Sequence, residues 1–338
     1  MLEVYAIFTS LFLTVLFNYL AKKKNFLLDK KYSPHKSFVS EDLVPITGGL
    51  IFFLSTIFYL NFDEYTIKIL IFCIFFIGFL SDTNYLYSPK KRFLLQIFFI
   101  LVFIYISQIF ISSIRIEIID TFLTNVYFKY FFTAFCLLIL MNGANFMDGV
   151  NTLLIGYFLI VTLICLLTIN KLNIDLDFFN LKIIFFVLVV LFLFNFFGKI
   201  FSGDSGAYLI SFLTGFYLIK ITNLNIQISP YFIACILWYP AYECFFSMIR
   251  KIKNGSSVVE ADNKHLHQMI FQMLKAKFDL KRKYANTLSG LIINLFNFLV
   301  FLYSFNYISK TNIQLSIILF CLIVYNLVYF YLIRILKL

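Results

Sequence analysis

Five ionisable residues lie in short polar stretches that interrupt an otherwise apolar sequence. Asp82 ends one apolar run, Asp148 lies in the sequence Asn-Phe-Met-Asp-Gly, and Asp204 is bracketed by glycines. His265 and His267 form a His-x-His pair that follows a basic stretch. Carboxylates gathered with imidazoles and cations are the groups that bind a divalent metal ion together with a polyphosphate. These residues therefore predict chemistry on a metal-bound phosphate.

Amide side chains accompany the second of these acids. Residues 142–151 contain Asn142, Asn145 and Asn151 beside Asp148, with no lysine or arginine. Unpaired polar groups at the edge of a hydrocarbon layer cost several kcal/mol, so this density of amides indicates binding partners. Amides and acids bind a uracil edge, a ribose or a hydrated Mg²⁺. The stretch therefore favours a binding role.

Two further features have a functional and a simpler interpretation. The glycines around Asp204 predict either a helix start whose backbone N–H groups bind phosphate or a turn with Asp204 as N-cap. Lys36, Lys90 and Arg92 either face a phosphate or mark the membrane surface and its lipid headgroups. A structural zinc site at the His-x-His pair is disfavoured, because no cysteine or third histidine lies near it.

The elements that must position these residues are membrane helices. Of 338 residues, 62% are hydrophobic and 13% are charged, and the mean hydropathy is +0.91, whereas soluble domains have about a quarter charged residues. This composition excludes a soluble globule and a disordered chain. The net charge of +11 indicates basic loops that face anionic lipid and substrate, and not nucleic acid. The six cysteines form no metal-type pair and are predicted to be small buried hydrophobes.

Long apolar runs predict a single all-α domain over residues 1–338, a polytopic membrane protein with about eleven spans. We expect the first run to be a retained span and not a cleaved signal, since no basic segment precedes it. The predicted spans are 4–20, 46–61, 67–80, 93–111, 126–141, 152–169, 181–197, 206–220, 230–248, 286–306 and 312–333.

The basic residues predict the orientation. Most of the 28 lysines and arginines lie in one alternate set of loops, which the positive-inside rule assigns to the cytosol. The N-terminus is then outside, the C-terminus is cytosolic, and the candidate residues share the cytosolic face. The loops of this set are 21–45, 81–92, 142–151, 198–205 and 249–285.

Five motifs, in order and on this one face, resemble those of the polyprenyl-phosphate N-acetylhexosamine-1-phosphate transferases of glycosyltransferase family 4. That superfamily also contains the phospho-MurNAc-pentapeptide transferase of peptidoglycan synthesis. The resemblance implies that a UDP-sugar donates its sugar phosphate to undecaprenyl phosphate at a bacterial inner membrane, with release of UMP. The motifs are Pro-x-x-Gly-Gly (45–49), the acidic motif at 81–82 with the basic residues and Gln96 that follow, Asn-Phe-Met-Asp-Gly (145–149), Phe-Ser-Gly-Asp-Ser-Gly (201–206) and Asp-x-x-His-x-His (262–267).

The resemblance also implies the roles of the site residues. Asp204 and Asp148 would ligate Mg²⁺, with Mn²⁺ as a substitute. The UDP-sugar, undecaprenyl phosphate and the lipid bilayer are the expected partners, nucleic acid is not, and a homodimer is allowed. The implied catalytic set is Asp82, Asp148, His265 and His267. The implied substrate-binding set is Lys36, Lys90, Arg92, Asn142, Asn145 and Asp262.

The chain departs from the family pattern at three places. Ser81 replaces the first of two consecutive aspartates, Asn151 stands where the family often has aspartate, and residues 265–268 read His-Leu-His-Gln where the peptidoglycan enzymes have a run of histidines. A phosphate monoester has a second pKa of about 6, so it is mostly dianionic near neutral pH. Loss of a base at position 81 therefore need not abolish turnover, and we expect activity, with Asp82 positioning the lipid phosphate or Mg²⁺.

The leading hypothesis is a UDP-N-acetylhexosamine:polyprenyl-phosphate transferase that starts a surface glycan such as O-antigen. Within the family the alternative is the peptidoglycan-precursor transferase. From other classes, the alternatives are a non-catalytic membrane scaffold and a lipid transporter. The transporter is disfavoured because transporters place charged residues at mid-membrane, whereas Asp82, Asp148 and Asp204 lie at the ends of predicted spans.

Overall fold

The computed structural model describes residues 2–28, 43–62, 65–174, 178–255 and 263–336, which are mostly helical. Eight helices in these ranges are long and apolar enough to cross a membrane, or nine if the bent pair α10 and α11 is one span. The chain is therefore an all-helical, polytopic membrane protein. Its helices are α1 (Leu2–Lys24), α2 (Gly48–Ile57), α3 (Tyr65–Asp82), α4 (Pro89–Ser107), α5 (Glu117–Leu123), α6 (Val126–Met147), α7 (Leu153–Leu172), α8 (Phe178–Phe196), α9 (Gly203–Leu224), α10 (Pro230–Ile236), α11 (Trp238–Lys253), α12 (Leu266–Phe278), α13 (Arg282–Phe305) and α14 (Thr311–Leu336).

The predicted number of about eleven spans is not confirmed. Helix α4, which covers most of the span predicted at 93–111, is not among the eight helices that are long and apolar enough to cross a membrane. Two further predicted spans also need correction. The span predicted at 46–61 contains only the ten-residue α2, which at 1.5 Å per residue covers about half of a ~30 Å hydrocarbon layer. The span predicted at 230–248 breaks at Leu237, where α10 and α11 meet at 70°. The sequence explains the break, because Pro240 has no N–H to donate to Ile236 and its ring clashes with that carbonyl.

Two predicted loops are partly helical. Helix α6 continues to Met147, so that Asn142 and Asn145 lie on its last two turns and not in a loop. The loop predicted at 249–285 contains α12, which packs against α13 and α14. Both helices extend the scaffold into the stretches that carry the candidate residues.

Helix α9 lies at the centre of the bundle. It is the most buried of the candidate spans and packs against α2, α3, α6 and α7. Helices α3 and α6 end at its first residues, and α4 begins beside them. We call this end of the bundle the site end.

Candidate active site

Two acids from neighbouring helices cap the start of α9. Asp82, the last residue of α3, accepts hydrogen bonds from the backbone N–H groups of Asp204 (2.8 Å) and Ser205 (3.1 Å) and from the Ser205 hydroxyl (2.5 Å). Asp148, directly after α6, accepts one from the backbone N–H of Gly203 (2.8 Å). Carboxylates are stabilised at a helix N-terminus by its unpaired N–H groups and by the helix dipole. The two acids therefore fasten α3 and α6 to the first turn of α9.

This arrangement corrects the prediction for the start of α9. The N–H groups of residues 203–205, expected to bind phosphate, donate to Asp82 and Asp148 instead. Asp204 is the second residue of the helix and not its N-cap. Gly203 has a φ of +70°, and a Cβ atom there would come within 2.6 Å of the Asp82 carboxylate. Only glycine allows both this conformation and this close approach.

Asp204 itself points to a hydroxyl and a cation. Its Oδ2 accepts hydrogen bonds from the Ser81 hydroxyl (2.5 Å) and from the guanidinium of Arg92, which also donates to Ser81 Oγ. Both charged side chains are partly exposed, Asp204 by 24% and Arg92 by 19%. Ser81 thus lies between acid and cation, at the position where the family pattern has a second carboxylate.

The amide side chains of Asn142 and Asn145 on α6 contact residues of α4 and α9 near Asp204. Asn142 donates to Gln96 Oε1 (3.2 Å), and Asn145 donates to the hydroxyl of Tyr208 on α9 (3.2 Å). Gln96 is buried one turn after Arg92 on α4. Its Nε2 and the Nε of Arg92 have no hydrogen-bond partner within the described residues. Buried donors without partners are costly, so this pair is suited to an oxygen-rich ligand.

Both histidines pack against the end of α6. The ring of His265 lies 5.1 Å from the ring of Phe146 and 5.6 Å from that of His267, and His267 lies against Gly149, the residue after Asp148. Burial, and then the neighbouring His265, lower the pKa of His267 to about 3, so this imidazole is neutral near pH 7. Neither of its nitrogens has a partner in the part of the chain that is described. The structure therefore brings the His-x-His pair to the residues around Asp148.

Glu243 is a site residue that the motifs do not indicate. Its Oε1 lies 2.8 Å from His265 Nδ1, and its Oε2 accepts a hydrogen bond from the Tyr325 hydroxyl (2.7 Å). One signal in the sequence points to it, since Glu243 is an acid inside the predicted span 230–248. An ionisable residue within a span indicates a functional site. The hydroxyls of Ser205 and Tyr208 have no such signal.

One predicted binding residue, Lys90, lies apart from this cluster. Lys90 is exposed in the first turn of α4, and no hydrogen bond or ion pair joins it to the three aspartates in the described chain. Lys36 and Asp262 lie outside the described residues. Their binding roles, like those of the other candidates, stay predictions.

The carboxylates fit a divalent ion only in part. Both oxygens of Asp82 and one of Asp148 accept hydrogen bonds from α9, whereas Asp204 is partly exposed. No group of three His, Cys, Asp or Glu side chains in the described ranges could hold a metal ion. Mg²⁺ commonly binds one or two carboxylates and takes its other ligands from water and substrate phosphates. The site therefore fits an ion held by Asp204 and a bound phosphate, and not one enclosed by a carboxylate cluster.

At the site end of these apolar helices, three acids lie near the guanidinium of Arg92 and near donors that have no partner in the described chain, and such a combination is suited to phosphorylated ligands. Residues 65–222 match the family model of glycosyl transferase family 4. This range holds all three aspartates and Arg92, whereas Glu243, His265 and Tyr325 lie beyond it. Over these residues the chain is similar to glycosyl transferase family 4.

Curated relatives extend the similarity beyond the matched range. The undecaprenyl-phosphate alpha-N-acetylglucosaminyl 1-phosphate transferase of Salmonella typhi is 24% identical, over 78% of this chain and 75% of its own. The enzyme of the same name from Escherichia coli K12 is 26% identical, over 79% and 74%. A probable undecaprenyl-phosphate N-acetylglucosaminyl 1-phosphate transferase of Bacillus subtilis is 26% identical, over 86% and 81%.

Proposed function

We propose that this protein transfers an N-acetylhexosamine-1-phosphate from a UDP-sugar to undecaprenyl phosphate, and so starts a lipid-linked surface glycan. The observation that carries the proposal is the meeting of Asp204, Ser81 and Arg92 at the start of α9, beside the unpaired donors of α4. The names of the relatives, which state the lipid acceptor and the 1-phosphate transfer, support it.

In the proposed reaction an oxygen of undecaprenyl phosphate forms a bond to the β-phosphorus of the UDP-sugar. The bond from that phosphorus to the bridging oxygen breaks, and UMP leaves with its electron pair. Arg92 binds a phosphate, and Asn142 and Asn145 hold the nucleotide. Mg²⁺ or Mn²⁺ on Asp204, with Asp148 as a second ligand, would neutralise the pyrophosphate and the leaving UMP.

Besides the ligand role proposed for Asp148, both Asp82 and Asp148 act on this reaction through α9. Since they fix the first turn of α9, they fix the direction in which Asp204 points. His265 and His267 pack against the residues that precede and follow Asp148, and we assign them to the phosphates of the donor. Lys36 is assigned to the lipid phosphate.

We further propose that the site end faces the cytosol of a bacterial inner membrane, with the N-terminus outside. Helix α1 ends with three lysines and α11 ends with three basic residues. Both helices run toward the site end, and basic residues concentrate on the cytosolic side of membrane proteins.

The proposal is tested with purified protein, undecaprenyl phosphate, Mg²⁺ and a panel of UDP-sugars, with the lipid product identified by mass and UMP quantified. UDP-N-acetylhexosamines are expected to react and to yield a polyprenyl-diphospho-sugar. Turnover of UDP-MurNAc-pentapeptide alone would identify the peptidoglycan-precursor reaction instead. No UMP release with any donor would favour a non-catalytic scaffold.

A further inference from the structure

The buried carboxylate of Glu243 contacts one of the two histidines, His265. Glu243, on α11, is 1% exposed. Its Oε1 lies 2.8 Å from His265 Nδ1 and accepts a second, longer hydrogen bond from the backbone N–H of Leu266 (3.3 Å). An ionised carboxylate has no proton to donate, so the proton of this contact belongs to His265 Nδ1. The nitrogen that points away from Glu243 is then Nε2.

The last helix supports this carboxylate. Tyr325 donates its hydroxyl to the other oxygen of Glu243 (2.7 Å). One turn later, Tyr329 stacks on Tyr325, with ring centroids 6.0 Å apart, and donates to the backbone carbonyl of Lys264 (3.2 Å). Helix α14 therefore contacts Lys264, the residue before His265, through Tyr329. It supports His265 indirectly, because Tyr325 bonds to Glu243.

We propose that Glu243 and Tyr325 are positioning residues that fix the tautomer and orientation of His265, so that Nε2 faces the phosphates of the sugar nucleotide. This inference rests on the proposed function. A buried charge costs several kcal/mol unless it is paired and hydrogen-bonded. Glu243 is bonded to His265, to the backbone N–H of Leu266 and to the Tyr325 hydroxyl. The orientation of His265 is passed on through ring contacts to Phe146 and His267.

The experiment compares steady-state kinetics of the full-length protein and its variants with both substrates varied. Glu243→Leu is expected to lower kcat/KM for the UDP-sugar by about 10- to 100-fold, the usual loss when a residue that orients a ligand-binding histidine is removed. The loss should come mainly as a higher KM for the UDP-sugar, with the KM for undecaprenyl phosphate within about twofold of wild type. Glu243→Gln should recover most of it, because the amide oxygen still accepts from Nδ1.

A matched control and a double variant separate orientation from folding. Glu117→Gln removes an exposed carboxylate on α5 and is expected to leave both KM values unchanged. If Glu243 acts through His265, adding Glu243→Leu to His265→Ala should cause no further loss, whereas independent effects would multiply. Multiplied losses, or a lower kcat with both KM values unchanged, would overturn the inference.

A second variant covers the case in which Glu243→Leu does not fold, as judged by its melting curve. Tyr325→Phe then carries the test and should raise the KM for the UDP-sugar by about threefold, as expected for loss of one hydrogen bond. An unchanged KM in Tyr325→Phe would contradict the proposal. Inactive wild-type protein would instead refute the proposed function and not the role of Glu243.

Discussion

The two halves of the site differ in exposure and in construction. In the acid half, Asp204 and Arg92 are partly exposed, and both residues lie within the matched range 65–222. In the histidine half, His265, His267 and Glu243 are at most 5% exposed, and they lie outside that range. An exposed charged side chain can exchange its protein partner for a substrate, whereas the position of a buried charged side chain must be set by the fold before the substrate binds. Changes at the exposed charges of the acid half, Asp204 and Arg92, should therefore affect chemistry most, whereas changes in the histidine half should also affect folding.

The largest effect is expected from Asp204→Asn. It removes the partly exposed carboxylate that is proposed as the first metal ligand, and loss of one preorganised charge-stabilising group typically lowers turnover by about 10²–10³-fold. The melting temperature should change little, since partly exposed ion pairs contribute about 1 kcal/mol or less. UMP release at saturating substrates measures the effect. Turnover within about threefold of wild type would contradict both the metal role of Asp204 and the division between the halves.

Asp82→Ala should act chiefly on stability. It removes the carboxylate that accepts three hydrogen bonds from the first turn of α9, and loss of a helix cap of this kind costs about 2 kcal/mol. Thermal melting in detergent measures the loss, and Asp82→Asn, which keeps an acceptor oxygen, should recover part of it. A variant that melts like wild type but is inactive would show that Asp82 contacts substrate instead of capping α9.

Acid should destabilise the histidine half through His267. Its pKa is about 3 in the folded protein and about 6.5 in an unfolded chain, so between these values only the unfolded state takes up the proton. Stability should therefore fall as the pH is lowered from about 6.5 toward 3, by up to about 1.4 kcal/mol per pH unit from this residue. Melting of wild type and His267→Gln at pH 7.5 and 5.5 tests the sign. An equal drop in both proteins would assign the acid sensitivity to other groups.

The acid half could be predicted from sequence because its signals are local. Asp82, Asp148 and Asp204 each end or begin an apolar run, and such ends meet at the edges of a helical bundle. The role of Asp82 as a cap could not be predicted, since it depends on where α3 ends relative to α9. The contact of Tyr325 with Glu243 joins residues 82 positions apart, and no periodicity or motif encodes that distance. The bend at Leu237 could have been predicted from Pro240, whereas the short α2 could not, because its sequence stays apolar beyond Ile57.

The smallest effect is expected from Ser81→Asp, which adds a second carboxylate beside Asp82. If the acceptor phosphate is already dianionic, a base at this position has almost no proton to remove at pH 7.5, and turnover should stay within about threefold of wild type. The new charge also competes with Asp204 for Arg92, which donates to both positions in the present arrangement. Ser81→Ala separates this competition from loss of the hydroxyl. A gain of tenfold or more in Ser81→Asp at pH 7.5 would mean that proton removal limits the wild-type reaction. It would also mean that the acid half, like the histidine half, depends on a side chain that the fold positions before the substrate binds.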